Sequence, residues 1–391
     1  MKKYSILIVG LKCYSGHIRE FIVNLKKKNP QVEITLLTTD INQQFIGDIS
    51  SSVNRIEVLK STRIKLPVIT TIINRLHLYK SLLSLLFRCR FAIVDIHFPK
   101  GFVIHAMPVL KRMTHNIVIT PWGSDVMRVE DEKNIRYLTK IYSEAKYITV
   151  SKESPTGKAI ISKFNVAPEK MVALGWGGEF FDYIQEHSTN ITTEEAKARF
   201  GLNGKYVITC GYNTQQAQRH EDIMDAISGV KEQLPDNLTL LIPCTYVSYD
   251  SLSEQKRHYV ESLEEKGKKL GLDVKLVREH LGLEDLLKLR MATDIFVHVQ
   301  SSDAGSRSVM EYVFCNKKIV HGAWIRYAYL EDYKPSCYFP VNQMEDLGDV
   351  ILKASQTQIS DLPYKVKTII QERGWNHKMA QWNSFFESLV S

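Results

Sequence analysis

The sequence predicts an α/β protein made of two Rossmann-like, doubly wound domains facing a cleft. Three observations carry that prediction. Short β-rich apolar runs alternate with helical patterns along nearly the whole chain, as in parallel sheets covered on both faces. The 391 residues are long for one hydrophobic core and natural for two. A polar stretch at 186–193 separates two such alternating series.

In the first series the runs at 5–9, 33–38, 55–59, 92–97, 116–120, 147–150 and 171–174 are expected strands. Helical spacing separates most of them, for example at 18–28 and 151–164. The second series places strands at 206–211, 238–243, 274–277, 295–299 and 318–320, with helices at 220–234, 251–270 and 283–291. Residues 361–390 carry no strand signal. Trp375, Trp382, Phe385 and Phe386 are spaced there as on a helix. The expected organisation is an amino-terminal domain over 1–180 and a second domain over 200–360. A helical segment over 361–391 returns toward the first domain.

Hydrophobic content of 44% and charged content of 24% are ordinary for a globular protein. The net charge of +8 is moderate, and its placement matters more. Lys60, Arg63, Lys65, Arg75, Lys80, Arg88 and Arg90 are interleaved with leucines, and no acid occurs between Glu57 and Asp95. Such a segment suits an anionic membrane surface. The plainer alternative is a buried helix with a basic polar face. No nucleic-acid-binding module is recognisable. The six cysteines are scattered without a CxxC pair, as buried hydrophobes in a reducing compartment are. No apolar run approaches the roughly 18 residues of a membrane span. The expected location is cytoplasmic, peripheral on the inner face of the plasma membrane.

The chain has no GxGxxG after the first strand, no GxxxxGK[ST], no HExxH and no Asp-x-Asp. Diphosphate charge would therefore fall to backbone amides, Arg and Lys, with no metal or other cofactor. The strongest candidate is the stretch from Asp303 to Glu311. Gly305, Ser306, Arg307 and Ser308 stand between the two carboxylates, between an expected strand and helix. A helix amino end with small residues suits a diphosphate, and a carboxylate further along can accept ribose hydroxyls. Asn213, Arg219 and His220 lie in a polar loop after the first strand of the second series. They are candidates for phosphate or sugar contact. His97 ends an apolar strand and would face the cleft, where it could move a proton. Trp122 could stack on a sugar ring and Asp125 could hold hydroxyls. Gly16 lets backbone approach a ligand. The glycines of 174–178 suit a pivot.

These pieces, in this order, resemble glycosyltransferases of the GT-B fold, most closely glycosyltransferase family 4. The likeness spans most of the chain and is best between Asp294 and Gly322. In that family a carboxylate-x7-Glu motif binds the donor nucleotide. The resemblance places Asp303 where the first glutamate normally stands and Glu311 at the ribose ligand, with the amides of Gly305 to Ser308 on the diphosphate. His97 matches the amino-domain histidine near the donor sugar, and Gly16 the first glycine loop. Gly123 and Asp125 fit an HGxD-like segment in which Trp122 replaces the histidine. Arg219 and His220 fall where the family has an Arg and Lys pair. The resemblance implies transfer with retention and without a metal, and a role in bacterial capsule or lipopolysaccharide assembly.

The expected function is transfer of a hexose-type sugar from a UDP- or GDP-sugar to a glycan or lipid-linked acceptor. A nucleotide-sugar epimerase of the same fold would need paired acid–base carboxylates around the sugar. A non-catalytic nucleotide- or sugar-binding protein would show no turnover of a nucleotide sugar.

Overall fold

The computed structural model describes residues 2–10, 16–39, 43–59, 67–244, 252–301, 303 and 306–390. Among them run two six-stranded parallel sheets with helices between the strands. The chain divides into two units, Met1–Glu179 with Arg373–Ser391, and Phe180–Glu372.

The first sheet comprises β1 (Ser5–Gly10), β2 (Glu33–Thr38), β3 (Arg55–Val58), β4 (Ile93–His97), β5 (Ile117–Thr120) and β6 (Tyr147–Ile148). Their order is β3-β2-β1-β4-β5-β6. The continuous apolar run of β1 is explained by its two buried faces. Leu7 and Val9 enter one core, while Ile6 and Ile8 enter the other. The strand order reverses between β1 and β4, where Gly10 lies opposite His97. In doubly wound sheets ligands gather outside the carboxyl ends of the strands at such a switch point.

The second sheet comprises β7 (Tyr206–Cys210), β8 (Leu238–Pro243), β9 (Val274–Val277), β10 (Ile295–His298), β11 (Lys318–Gly322) and β12 (Tyr338–Val341). The order β12-β11-β10-β7-β8-β9 puts its switch point between β7 and β10. The two expected Rossmann-like sheets are therefore present, each with its own reversal.

Local chemistry sets the helix ends. Ser154 Oγ accepts from the Gly157 amide at 3.0 Å, so the expected helix from 151 starts at Pro155. A Cβ on Gly157 would lie 2.1 Å from the Ser151 carbonyl oxygen, which explains the glycine. The expected helix 220–234 ends its α-helical part at Val230, shortly before Pro235, and closes with a 3-10 turn, Lys231–Gln233.

Two strand expectations are corrected. Residues 171–174 form no strand: Met171 makes one isolated bridge to Ile148, since the adjoining edge strand β6 has only two residues to pair. Conversely, β12 was not anticipated. Pro340 interrupts its sequence signal, but at a sheet edge the missing N–H costs no ladder bond.

The helix Trp375–Leu389 returns to the first unit. Trp375, Met379, Trp382 and Phe386 fill the core that also contains Ile6 and Ile8. Trp382 Nε1 donates to the Gly175 carbonyl at 3.1 Å, and Trp375 Nε1 to Glu20 Oε2 at 2.8 Å. Both indoles thus bury their rings with the polar atom satisfied. The preceding helix, Tyr364–Gln371, packs within the second unit through Val366 and Ile370.

Candidate functional site

In the second unit β10 ends at His298 and the chain passes through Asp303 to Ser306, the residue capping the helix Arg307–Phe314. Ser306 makes no side-chain cap hydrogen bond, and no acidic residue stands in the first turn. The amino end of this helix therefore presents its positive dipole without a carboxylate of its own to offset it. Ser306 and Ser308 are buried and Arg307 is half-buried. Gly305 lies outside the described residues.

Glu311 follows on the same helix and is buried. Its Oε2 accepts from Arg290 Nη2 at 2.8 Å and from Arg290 Nε at 3.1 Å. Arg290, itself buried, also donates to the Tyr312 hydroxyl at 3.0 Å and stacks over that ring. Desolvation works against the arginine's charge, but Tyr312 and Glu311 outweigh it and its pKa is raised. Both donors to Glu311 go to one oxygen, which leaves Oε1 outside the ion pair.

Asp303 Oδ2 accepts from the Tyr327 hydroxyl at 2.7 Å. The same hydroxyl accepts the Ser306 amide at 3.0 Å. Beneath them His298 and His321, opposite each other on β10 and β11, stack with 4° between their planes.

The loop after β7 reaches the same switch point. Gly211 has φ +64°, and a Cβ there would meet Gln218 Oε1 at 2.9 Å. Only glycine suits that close approach. Asn213 Oδ1 accepts from the Gln215 amide at 2.9 Å, folding the loop on itself. Gln218 Nε2 donates to Gln300 Oε1 at 2.8 Å and ties this loop to the end of β10. Arg219 holds a left-handed backbone, φ 60°, just before the helix His220–Val230. Its Nε donates to Asp222 at 2.7 Å, so a first-turn carboxylate already faces its charge. His220, the other candidate of this loop for phosphate or sugar contact, is buried. Burial depresses its pKa to about 4, and the ring sits 3.1 Å from the Tyr259 hydroxyl. It is a neutral imidazole at pH 7.

In the first unit His97 ends β4 at the other switch point, but it is fully buried. Phe21 and Trp176 cover its ring at 4.8 and 5.6 Å. Its Nε2 lies 3.0 Å from Asp95 Oδ2, and Asp95 Oδ1 accepts from Thr120 Oγ1 at 2.7 Å. His97 is thus oriented by a buried carboxylate, with Nδ1 lacking a hydrogen-bond partner. Phe98, immediately after it, has φ 50°, an uncommon conformation for an aromatic residue.

Trp122 is half-buried, its ring 5.1 Å from His17 and 6.0 Å from Trp176. Asp125 Oδ1 accepts from the Trp122 amide at 2.9 Å across Gly123, whose φ is +99°. Burial raises the Asp125 pKa to about 7, and its Oδ2 has no hydrogen-bond partner. Gly16 opens the helix Gly16–Lys28 beside His17. Among the described residues no group of three or more His, Cys, Asp or Glu side chains could hold a metal ion.

The structure thus gathers Asp303, Ser306, Arg307, Ser308 and Glu311 with the loop bearing Asn213 and Arg219 at the second sheet's switch point. His97, Trp122 and Asp125 gather at the first. Sequence reasoning missed Arg290, Tyr327, Gln300 and Trp176. Asp95, a charge inside an apolar strand, was the one signal of the buried network around His97.

No protein-family model matches the chain, and no curated protein does. Solved structures match it along its length. A glycosyltransferase from Rickettsia africae superposes with a TM-score of 0.75 at 14% identity, covering 100% of both chains. Anabaena Alr3699/HepE in complex with UDP and glucose gives 0.73 at 13%, covering 98% of this chain and 100% of that one. Sucrose-phosphate synthase from Thermosynechococcus elongatus gives 0.71 at 12%, covering 99% of each. The fold is shared. At these identities the likeness speaks for architecture, and function rests on the residues.

Proposed function

We propose that the protein is a glycosyltransferase moving a hexose-type sugar from a UDP- or GDP-sugar to a glycan or lipid-linked acceptor. The observation that carries this reading is the placement of Glu311. It lies behind an uncapped helix amino end at a topological switch point, with one carboxylate oxygen fixed by Arg290 and the other outside that pair. Ribose hydroxyls are donors and suit the second oxygen. The amides at the start of the helix Arg307–Phe314 would receive the diphosphate, with Arg307 and Arg219 nearest in sequence to the two loops involved. As the glycosidic bond breaks, negative charge grows on the diphosphate, where a helix dipole of about half a charge is most effective.

The remaining roles follow the same reading. His97, held by Asp95, would hydrogen-bond a sugar hydroxyl once a ligand draws the covering rings aside. Trp122 and Asp125 would contact acceptor or sugar, and Gly16 would let backbone approach the phosphates. The absence of Asp-x-Asp in the sequence supports transfer without a metal. That HepE was solved with UDP and with UDP-glucose supports a uridine donor. Retention, and a place in capsule or lipopolysaccharide assembly, rest on the family resemblance; a cytoplasmic place rests on the scattered cysteines of the sequence.

An anionic membrane surface is the proposed partner of the helix Pro67–Arg88. Leu78, Leu82 and Leu85 are buried, whereas Val68, Ile72, Leu76 and Phe87 are 73%, 53%, 61% and 82% exposed. A helix with a second, outward apolar stripe and no acids, flanked by Arg75 and Lys80, suits the interface plane. No helix among the described residues is long and apolar enough to cross a membrane. Lys60, Arg63 and Lys65 lie outside the described residues. Co-sedimentation with phosphatidylglycerol vesicles should fall in a Leu76→Ser/Phe87→Ser variant; unchanged binding refutes this part.

The transfer reading is tested by incubating the protein with UDP- and GDP-sugars and following nucleotide release. Slow hydrolysis of one donor, accelerated by an acceptor, is expected. Interconversion of the sugar without release would instead indicate an epimerase.

A further inference from the structure

We propose that Tyr327 is a positioning residue for the donor loop. Its hydroxyl fastens the carboxylate of Asp303 to the backbone amide of Ser306, the residue before the helix whose amino end would receive the diphosphate. The proposal rests on the donor-site reading above.

Tyr327 stands outside the strand–loop–helix motif, at the start of the short helix Ala328–Glu331. One oxygen atom does two jobs. It donates to Asp303 Oδ2 at 2.7 Å and accepts from the Ser306 backbone amide at 3.0 Å. A hydroxyl has one proton and two lone pairs, so a single oxygen can serve both partners with good geometry. One side chain thereby bridges Asp303 and the residue before the helix Arg307–Phe314.

The surroundings favour this role over a merely space-filling one. The Tyr327 ring is buried, 4.8 Å from His321 and 6.2 Å from His298. Both ring nitrogens of each histidine lack hydrogen-bond partners, and burial depresses the pKa of His321 to about 3. The layer under the loop is therefore a stack of buried rings. His298 Nε2 is 3.5 Å from Asp303 Oδ2, beyond a normal hydrogen bond. The Tyr327 hydroxyl makes a short contact to this carboxylate, at 2.7 Å. Without it, the Ser306 amide, on a buried residue, would lose its acceptor.

The test is Tyr327→Phe, which removes one oxygen and keeps the ring. Hydrogen exchange at the amides of 306–309 should accelerate about tenfold, while exchange in the first unit, the control for folding, should not change. The dissociation constant for UDP and the KM for the donor should each rise about tenfold, equivalent to ~1.4 kcal/mol. The kcat at saturating donor should stay within about twofold, because the hydroxyl touches no reacting atom. Adding Asp303→Asn to Tyr327→Phe should weaken UDP binding less than the sum of the single effects. Wild-type exchange at 306–309 in the Phe variant overturns the proposal. So does accelerated exchange with unaltered UDP affinity. If the wild-type protein binds neither UDP nor GDP, the donor reading fails, and the exchange result still decides whether Tyr327 fastens the loop.

Discussion

Truncating Glu311 to alanine should destabilise the second unit severely, apart from any effect on ligand. The carboxylate lies against a guanidinium whose Nη2 and Nε are 2.8 and 3.1 Å from one oxygen. Side-chain exposures are 4% for Arg290 and 7% for Glu311, so water cannot replace the lost partner. Removing one member of a buried pair costs about 3–5 kcal/mol, because the remaining charge is left uncompensated. Against a typical domain stability of about 5–15 kcal/mol this is a large fraction. With a urea m-value of roughly 2–3 kcal/mol/M, the midpoint should fall by about 1–2.5 M. Four of the five tryptophans lie in the first unit, so far-UV circular dichroism, which weighs both units, should follow the transition. Glu311→Gln keeps an acceptor for Arg290 and should cost less, about 1–3 kcal/mol. Replacing both partners, Arg290→Met with Glu311→Leu, should recover much of the loss. A Glu311→Ala midpoint equal to wild type would refute the view that this glutamate anchors a buried cation.

Two further outcomes are expected. The Asp125 pKa is raised by burial from 3.8 to about 7, so the folded state holds a proton that the unfolded state has released across that window. Stability from this group is complete below pH 3.8 and lost as pH rises toward 7, an effect of up to roughly 4 kcal/mol at 1.36 kcal/mol per unit. Asp125→Asn should therefore raise the melting temperature more at pH 8 than at pH 5; equal effects at both values contradict the assignment. EDTA should leave sugar transfer intact, and loss of activity restored by a divalent cation would reject the metal-free proposal.

Much of the fold was legible because strands buried on both faces must be apolar along their length. The run at 5–9 announces a central strand without any tertiary knowledge. Pro340 hid β12, since an edge strand tolerates a residue that a central strand does not. The candidate site was legible in part. Glu311 stood out through its spacing from Asp303 across an expected strand–loop–helix. Arg290 did not, because an arginine on the helix Leu283–Ala292 looks like any solvated charge until the packing buries it. Tyr327 is equally silent, its role depending on a hydroxyl meeting two groups over twenty residues away in sequence. The burial of His97 follows from Trp176 and Phe21, which only the folded chain brings over its ring. In each case a sequence pattern reported where a residue lay along an element, but not what covered it.

Isothermal titration of UDP and GDP into wild type and Glu311→Gln, well below the variant's melting temperature, tests the central claim most directly. One nucleotide should bind the wild type, and the variant should bind it at least about tenfold more weakly, a loss of ~1.4 kcal/mol. Equal affinity in the two proteins, or no binding of either nucleotide to the wild type, would contradict a donor site built on Glu311.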